Sequence, residues 1–466
     1  MKIKRLMMMS WALTVGALAC QGVSPGETAQ SAGVGGKADS PALDPTGRPW
    51  FSVDGWKQQQ TGPVSEPFFL QVQLVHFRLE APSELTDLEK KPVQVTMYGA
   101  MGEKIYDFTA MMKIRGSSSR KFPKKQYAMT IVDASGKDQK LALWGMAESE
   151  DYVLSAPYND RSLLRDILTY NLFNQLGRYA PRNRIATMNL KVGDGPEEAM
   201  GLYVLTEKNA LGKGKVDILK EKDGATAFLL NIDRVKEGDK AVKTKKGLDV
   251  LIDFPKASKL TAAQEASLKA FLDDVEARLG DRLSAGFQKL FAERIDLDSA
   301  VSVFVMQELA RNVNGYRLSS PMYIPPNGKL TFGPIWDFNL GYGNADYGNG
   351  WRADGWRAQE SGVWFADLMK HPLFCARLKT QWASLRDSVL SNNNIFATLD
   401  AHASVMAPAL EENFARWGIG YKVWPNAYWL GTHADELSAL KSWIAQRTAW
   451  MDRSIQEMTC QPGADR

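Results

Sequence analysis

The stretch RNVNGYRLSSPMYIPPNGKLTFGPIWDFNLGYGN, Arg311 to Asn344, decides how this chain reads. It divides into a polar loop, two short strands and a turn that carries a carboxylate. Phosphoryl transfer asks the protein for little covalent chemistry. It needs a divalent cation held by carboxylate or amide oxygens and a group that orients the attacking hydroxyl, and a segment of this kind is where such an enzyme keeps both. Asp337, on the turn after LTFGPIW, is placed to bind Mg²⁺, with Asn339 or Asn344 as a carbonyl ligand. It is the only carboxylate in the stretch, where a kinase-like site would want at least two; Asn312, Asn314 and Asn339 around it are amides, Asn312 and Asn339 being further candidate metal ligands. The same residues equally suit Asx turns at strand ends.

Outward from this segment the chain changes character from strand to helix. From Pro67 to about Thr130 the runs FFLQVQLVHFRL, VQVTMYG, KIYDFTAMMKIRG and QYAMTIV alternate or are β-rich, which predicts antiparallel hairpins. RSLLRDILTYNLFNQLG, after a capping Asn159-Asp160, predicts a helix with Leu163, Leu164, Ile167, Leu168 and Leu172 on one face. RIATMNLKV, GLYVLTEK and TAFLLNID return to strand, and the Lys/Asp/Gly-rich Val235–Gly247 reads as an exposed loop. From Thr261 the chain is mainly helical, interrupted by the strand hairpin of the opening stretch. The class is α+β, with a β-rich part over about 67–260 and a largely helical lobe over about 261–460 that carries the metal-site hairpin.

The 57 basic and 53 acidic residues leave a net charge of +4, too small and too evenly spread for a nucleic-acid binder. Lys2, Lys4 and Arg5 before an apolar run ending in Ala17-Leu18-Ala19-Cys20 predict an export signal over 1–20. Cleavage after Ala19 fits either an ordinary signal peptidase or a lipoprotein peptidase that leaves a lipidated Cys20, and the second reading is preferred because cysteine is rare here. Residues 21–48, rich in Gly, Ser, Ala and Pro, then form a flexible tether, and Gln21 fits outer-membrane sorting. The expected location is the cell envelope, or the exterior if the chain is simply secreted. An exported compartment permits Cys375 and Cys460 to pair, although two separate thiols remain the alternative. Four scattered histidines show no zinc spacing.

A second candidate site is KIRGSSSRKFPKKQY, Lys113 to Tyr127. Backbone amides and hydroxyls of the Gly-Ser turn, Ser117 and Ser118 among them, suit phosphate oxygens, and Arg115, Lys124 or Lys125 suit their charge. It is no Walker A motif, and a solvated basic loop is the bland alternative. Glu207 of GLYVLTEK is placed to pair with a lysine of this turn, or simply to end a surface strand. Trp351, Trp356, Trp364 and the run RWGIGYKVWPNAYW fit helix packing better than a sugar platform.

These segments, in this order, resemble the spore coat protein H (CotH) family of atypical, secreted protein kinases. The resemblance runs from about Val72 to Asp452 and rests on KIRGSSSRKFPKKQY, SAPYNDRSLLRDILTYNLF, GLYVLTEK, QELARNVNGYRLSSPMY with GPIWDFNLGYGNADY, and the C-terminal RW…WPN…LKSWIAQRTAWMD. It implies a divergent kinase-like fold that binds ATP with Mg²⁺ or Mn²⁺ and, in active members, phosphorylates Ser or Thr of a partner protein. By position it implies Arg115, Lys124 and Lys125 at phosphate and Asp337 at metal, in a W-D-F-[DN] motif that also admits Asn339. The family's N-V-D-G reads N-V-N-G here, so Asn314 stands where the family carries its catalytic aspartate. An amide neither accepts the hydroxyl proton nor brings charge to the metal. The expectation is therefore a kinase-like protein of impaired activity or, alternatively, a pseudokinase or surface-binding lipoprotein. The acceptor protein and the oligomeric state are not legible.

Overall fold

The computed structural model describes residues 74–361 and 363–460. The expected export signal with Cys20, the tether, and the start of the 67–130 strand region lie outside these residues.

In β1 (Leu74–Ala81) every second residue, Val75, Phe77, Leu79 and Ala81, is buried, so one whole face of the strand needs a cover. That cover is the inside of a barrel. β2 (Lys91–Tyr98), β3 (Lys104–Arg115), β4 (Gln126–Val132), β5 (Asp151–Ser155), β6 (Asn183–Val192) and β7 (Glu197–Glu207) complete it in the order β1-β2-β3-β4-β5-β7-β6. Phe77, Val95, Met112, Ile131, Leu154 and Leu205 fill the interior, so it is a packed core and no channel. Antiparallel hairpins were the expectation, and most pairs are antiparallel. Closure comes from a parallel pairing of β1 with β6, which has no local sequence trace because the two strands lie far apart in the chain. The α+β class holds, and the β-rich N-terminal part closes on itself as a seven-stranded barrel.

Helix α1 (Arg165–Gln175) starts later than its leucine pattern predicts. Asp160 is no immediate cap; it reaches forward, its Oδ2 accepting the Arg165 amide at 2.8 Å. The helix is buried nearly all round rather than amphipathic. After a two-stranded ribbon of β8 (Glu221–Lys222) and β9 (Ala225–Thr226) comes a second sheet. It is built from β10 (Phe228–Ile232), β11 (Ala241–Lys243), β12 (Asp249–Phe254), β13 (Ser320–Ile324) and β14 (Thr331–Phe332), in the order β11-β12-β10-β13-β14. The Val235–Gly247 segment is thus not all loop: β11 lies in it and pairs with β12.

Helix α2 (Ala262–Gly280) opens with a reciprocal Thr261–Gln264 capping box. Two single-turn helices, α3 (Ala285–Gln288) and α4 (Leu290–Glu293), lead to α5 (Leu297–Ala310), which is buried along almost its whole length. Short α6 (Arg357–Ser361) and α7 (Phe365–Leu368) precede α8 (Pro372–Arg386), α9 (Asn392–Trp417) and α10 (His433–Glu457). Cys375 of α8 is disulfide-bonded to Cys460 in the tail, the bonded one of the two alternatives. Trp356 and Trp364 pack in the core, whereas Trp351 and Trp424 are exposed.

Helix α9 holds the barrel. Asn413 Oδ1 accepts from the Leu202 amide at 3.0 Å and from Lys124 Nζ at 2.7 Å. Its close approach requires Gly201, where φ is +73° and a Cβ would meet Asn413 Oδ1 at 2.7 Å and Cα at 3.0 Å. Gly201→Ala should therefore destabilise by roughly 2–4 kcal/mol, combining backbone strain with overpacking. Gly102→Ala, at φ +80° with open space around it, should cost only about 1 kcal/mol. Urea unfolding of the two variants measures the difference.

Candidate functional site

A cleft of about 2160 Å³ opens between the mouth of the barrel and the second sheet. The β3–β4 connection supplies one wall and the 311–349 stretch the floor. Arg115, Ser117 and Ser118 from the basic turn face it, as do Asn314, Asp337 and Asn339. Two segments far apart in sequence therefore meet in one cavity. Gly116 makes the turn possible: φ is +112°, and a Cβ there would lie 2.0 Å from Ser119 Oγ.

Asp337 adopts φ +66°, a left-handed conformation unfavourable for a residue with a Cβ. Three hydrogen bonds hold it there. Its amide donates to Tyr170 Oη at 3.1 Å, and its carbonyl accepts from Asn312 Nδ2 at 3.0 Å. The next amide, of Phe338, donates to Asp166 Oδ1 at 2.6 Å. The carboxylate is thereby aimed into the cleft, where its Oδ2 accepts from Asn314 Nδ2 at 3.2 Å and from Ser319 Oγ at 3.4 Å. Burial raises its pKa and the nearby Asp233 charge adds to this, while Arg115 opposes both. Asp166 is pushed up to about 7, first by burial and then by the Asp337 charge.

The residues fit a divalent cation. Asn339 Nδ2 donates to Asn159 Oδ1 at 3.1 Å, leaving Asn339 Oδ1 buried and without a partner in the cleft that Asp166 and Asp337, whose charges oppose each other, also line. Among the described residues no three His, Cys, Asp or Glu side chains are grouped to hold an ion by themselves. That suits Mg²⁺, which commonly takes one or two carboxylates and completes its shell from water and substrate phosphates.

Five of the sequence expectations change. Lys124 is only 2% exposed; its ammonium donates to Leu202 O and Asn413 Oδ1 and lies 4.8 Å from the Tyr203 ring centroid, so it ties the barrel to α9 and does not reach the cleft. Lys125 is turned back, donating to Arg120 O at 2.8 Å. Glu207 pairs with no lysine of the turn. It is fully buried and takes Arg182 Nη2 at 2.7 Å, the Arg182 amide at 3.0 Å and the Ala147 amide at 2.7 Å. Asn312 has its Nδ2 on Asp337 O and its Oδ1 accepting the Asn314 amide at 3.1 Å, which leaves it shaping the loop and not ligating. Asn344 does not line the cleft, and its Nδ2 donates to Asn159 O and Asn339 O.

Sequence reasoning passed over Asp166, Tyr170, Asp233 and Ser319, all of which line this cleft. A carboxylate inside a run of leucines was the available signal for Asp166, since a charge in such a helix needs a reason.

The sequence profile of the CotH kinase protein family matches residues 112–451. The chain belongs to the CotH family. No curated protein matches it. Both the basic turn and the Asp337 turn fall inside the CotH match, and nucleotide and metal use is a general expectation for that family.

Asp166→Asn keeps an acceptor for the Phe338 amide and removes the titration. The folded CotH protein binds this proton more tightly than the unfolded chain, so Asp166 subtracts stability as pH rises from about 4 towards 7. Melting temperatures of the metal-free variant should therefore fall less between pH 5 and 8 than those of the parent. Glu207→Ala removes the carboxylate paired with the buried Arg182 and should cost about 3–5 kcal/mol in urea unfolding.

Proposed function

We propose that this CotH-family protein is an exported, envelope-tethered kinase-like phosphotransferase. It would bind ATP with Mg²⁺ or Mn²⁺ in the cleft and transfer phosphate to Ser or Thr of a partner protein, with membrane attachment through a lipidated Cys20. The observation that carries this reading is the meeting, in one cleft, of the Arg115–Ser118 turn with Asp337, Asp166 and Asn339. Arg115 and the hydroxyls and amides of the turn suit phosphate oxygens. Asp337, Asp166 and the free Asn339 Oδ1 would hold the cation, which when bound offsets the phosphate charge. The left-handed backbone at Asp337 and its hydrogen bonds fix where the carboxylate points before any ligand arrives, so little reorganisation accompanies binding.

The second reading is a pseudokinase that keeps the cleft for recognition. It is favoured by Asn314, whose amide donates to Asp337 Oδ2 where the family motif has a carboxylate.

ATP at a hundred times its Kd stabilises a one-site binder by roughly 2.7 kcal/mol. In thermal unfolding with millimolar ATP the protein should gain more stability when Mg²⁺ or Mn²⁺ is present, and Asp337→Ala should abolish the metal-dependent part. Arg115→Ala should weaken nucleotide binding with or without metal. No stabilisation by ATP and metal at any concentration would exclude the phosphotransferase reading and leave a surface-binding lipoprotein.

A further inference from the structure

The β10–β13 pairing sets Ile232 opposite Ser320, so one step further along the ladder Asp233 comes to lie opposite Ser319. Ser319 Oγ is 3.3 Å from Asp233 Oδ2 and 3.4 Å from Asp337 Oδ2. Both distances are long for an O–H···O bond, and one hydroxyl proton serves only one of the two acceptors. Catalytic hydrogen bonds are often loose in this way until a substrate closes them. Ser319 itself is held at φ +47°. Among the described residues Asp233 has no ion pair, although the cleft around it is rich in lysine and arginine; its Oδ1 accepts only the Arg234 amide, at 2.7 Å. Two residues back on the same strand, Asn231 also lines the cleft, and its buried Oδ1 has no partner. A carboxylate at 233 is costly where it stands, since its charge adds to the raised pKa values of Asp337 and Asp253. An asparagine would fill the same space without that cost.

We propose that Asp233 is the general base of this protein, accepting the proton of the acceptor hydroxyl from the β10 side of the cleft in place of the carboxylate that Asn314 lacks. The inference rests on the phosphotransferase reading. In the step, the acceptor oxygen forms a bond to the γ-phosphorus of ATP as the bond from that phosphorus to the β,γ-bridging oxygen breaks. ADP leaves with the electron pair, the hydroxyl proton passes to the Asp233 carboxylate, and water later removes it. Ser319 and Asn314 donate towards Asp337 and steer the incoming hydroxyl between the two carboxylates. Asn231 Oδ1 is free to accept a backbone N–H of the acceptor segment.

The test is a four-enzyme comparison of parent, Asp233→Asn, Asn314→Asp and the double variant, using γ-labelled ATP, a titration of Mg²⁺ and dephosphorylated casein as acceptor. Thermal unfolding confirms that each is folded. Asp233→Asn should lower kcat by about 10²–10⁴-fold without raising the Mg²⁺ concentration needed for half-maximal rate. In the Asp233→Asn background, Asn314→Asp should restore most of the lost rate, a rescue that a purely structural or metal-binding role would not give. The proposal is overturned if Asp233→Asn keeps the parent rate, if its loss is not rescued, or if it shifts the Mg²⁺ requirement. An inactive parent with an active Asn314→Asp variant overturns it as well, because the native protein would then have no base. Inactivity of parent and Asn314→Asp alike sinks the phosphotransferase reading itself.

Discussion

The left-handed peptide at Asp337 is the constraint on which the site depends. A non-glycine residue held in that region costs on the order of 1–3 kcal/mol and persists only where its surroundings over-determine it. Here Tyr170, Asn312 and Asp166 each bind the backbone of residues 337–338. Of the eleven non-glycine residues with positive φ among the described residues, seven fall between Arg311 and Asn349. The strain is thus gathered where two strands and two loops are bent to bring amides and a carboxylate to one point.

That bend is supported by buried charge. Glu308, at the end of α5, and Arg447 of α10 are both fully buried and paired at 3.0 Å. Glu308 also takes the Arg357 and Ala358 amides and the Tyr316 hydroxyl, and Arg447 takes Gly355 O, so the returning end of the loop is tied to two helices. On the other side Arg165 is ion-paired with Asp160 and donates to Gly341 O and to Tyr428 Oη. Buried pairs of this kind are weak sources of net stability but costly to break, which makes them better at fixing one geometry than at raising a melting temperature. Helix α1, which provides Arg165, Asp166 and Tyr170, is the template against which the Asp337 turn is shaped.

Much of this was legible in the sequence, and the gaps have physical causes. Alternation in β1 and the onset of helix at Thr261 are local signals and were readable. The parallel β1–β6 closure is not local, and neither is the cover that buries α1 all round, so a barrel looked like hairpins and a buried helix looked amphipathic. In the site, Asp337, Asn314, Asn339, Arg115 and the serines of the turn, singled out by residue type, spacing and resemblance, line one cleft. Lys124 and Glu207 were misplaced for one shared reason: a charged residue reads as exposed, and only the fold reveals a buried partner such as Asn413 or Arg182. Asp233 and Ser319 escaped notice because what makes them interesting is a strand register that joins residues 86 positions apart.

The central claim is that the Arg115 turn and the Asp337 turn form one nucleotide and metal site. Anomalous diffraction from crystals soaked with Mn²⁺ and a non-hydrolysable ATP analogue tests it most directly. The account predicts a manganese peak coordinated by the Asp337 carboxylate, with the phosphates between it and Arg115. A cleft without nucleotide density at millimolar concentrations, or manganese bound only elsewhere, would contradict it.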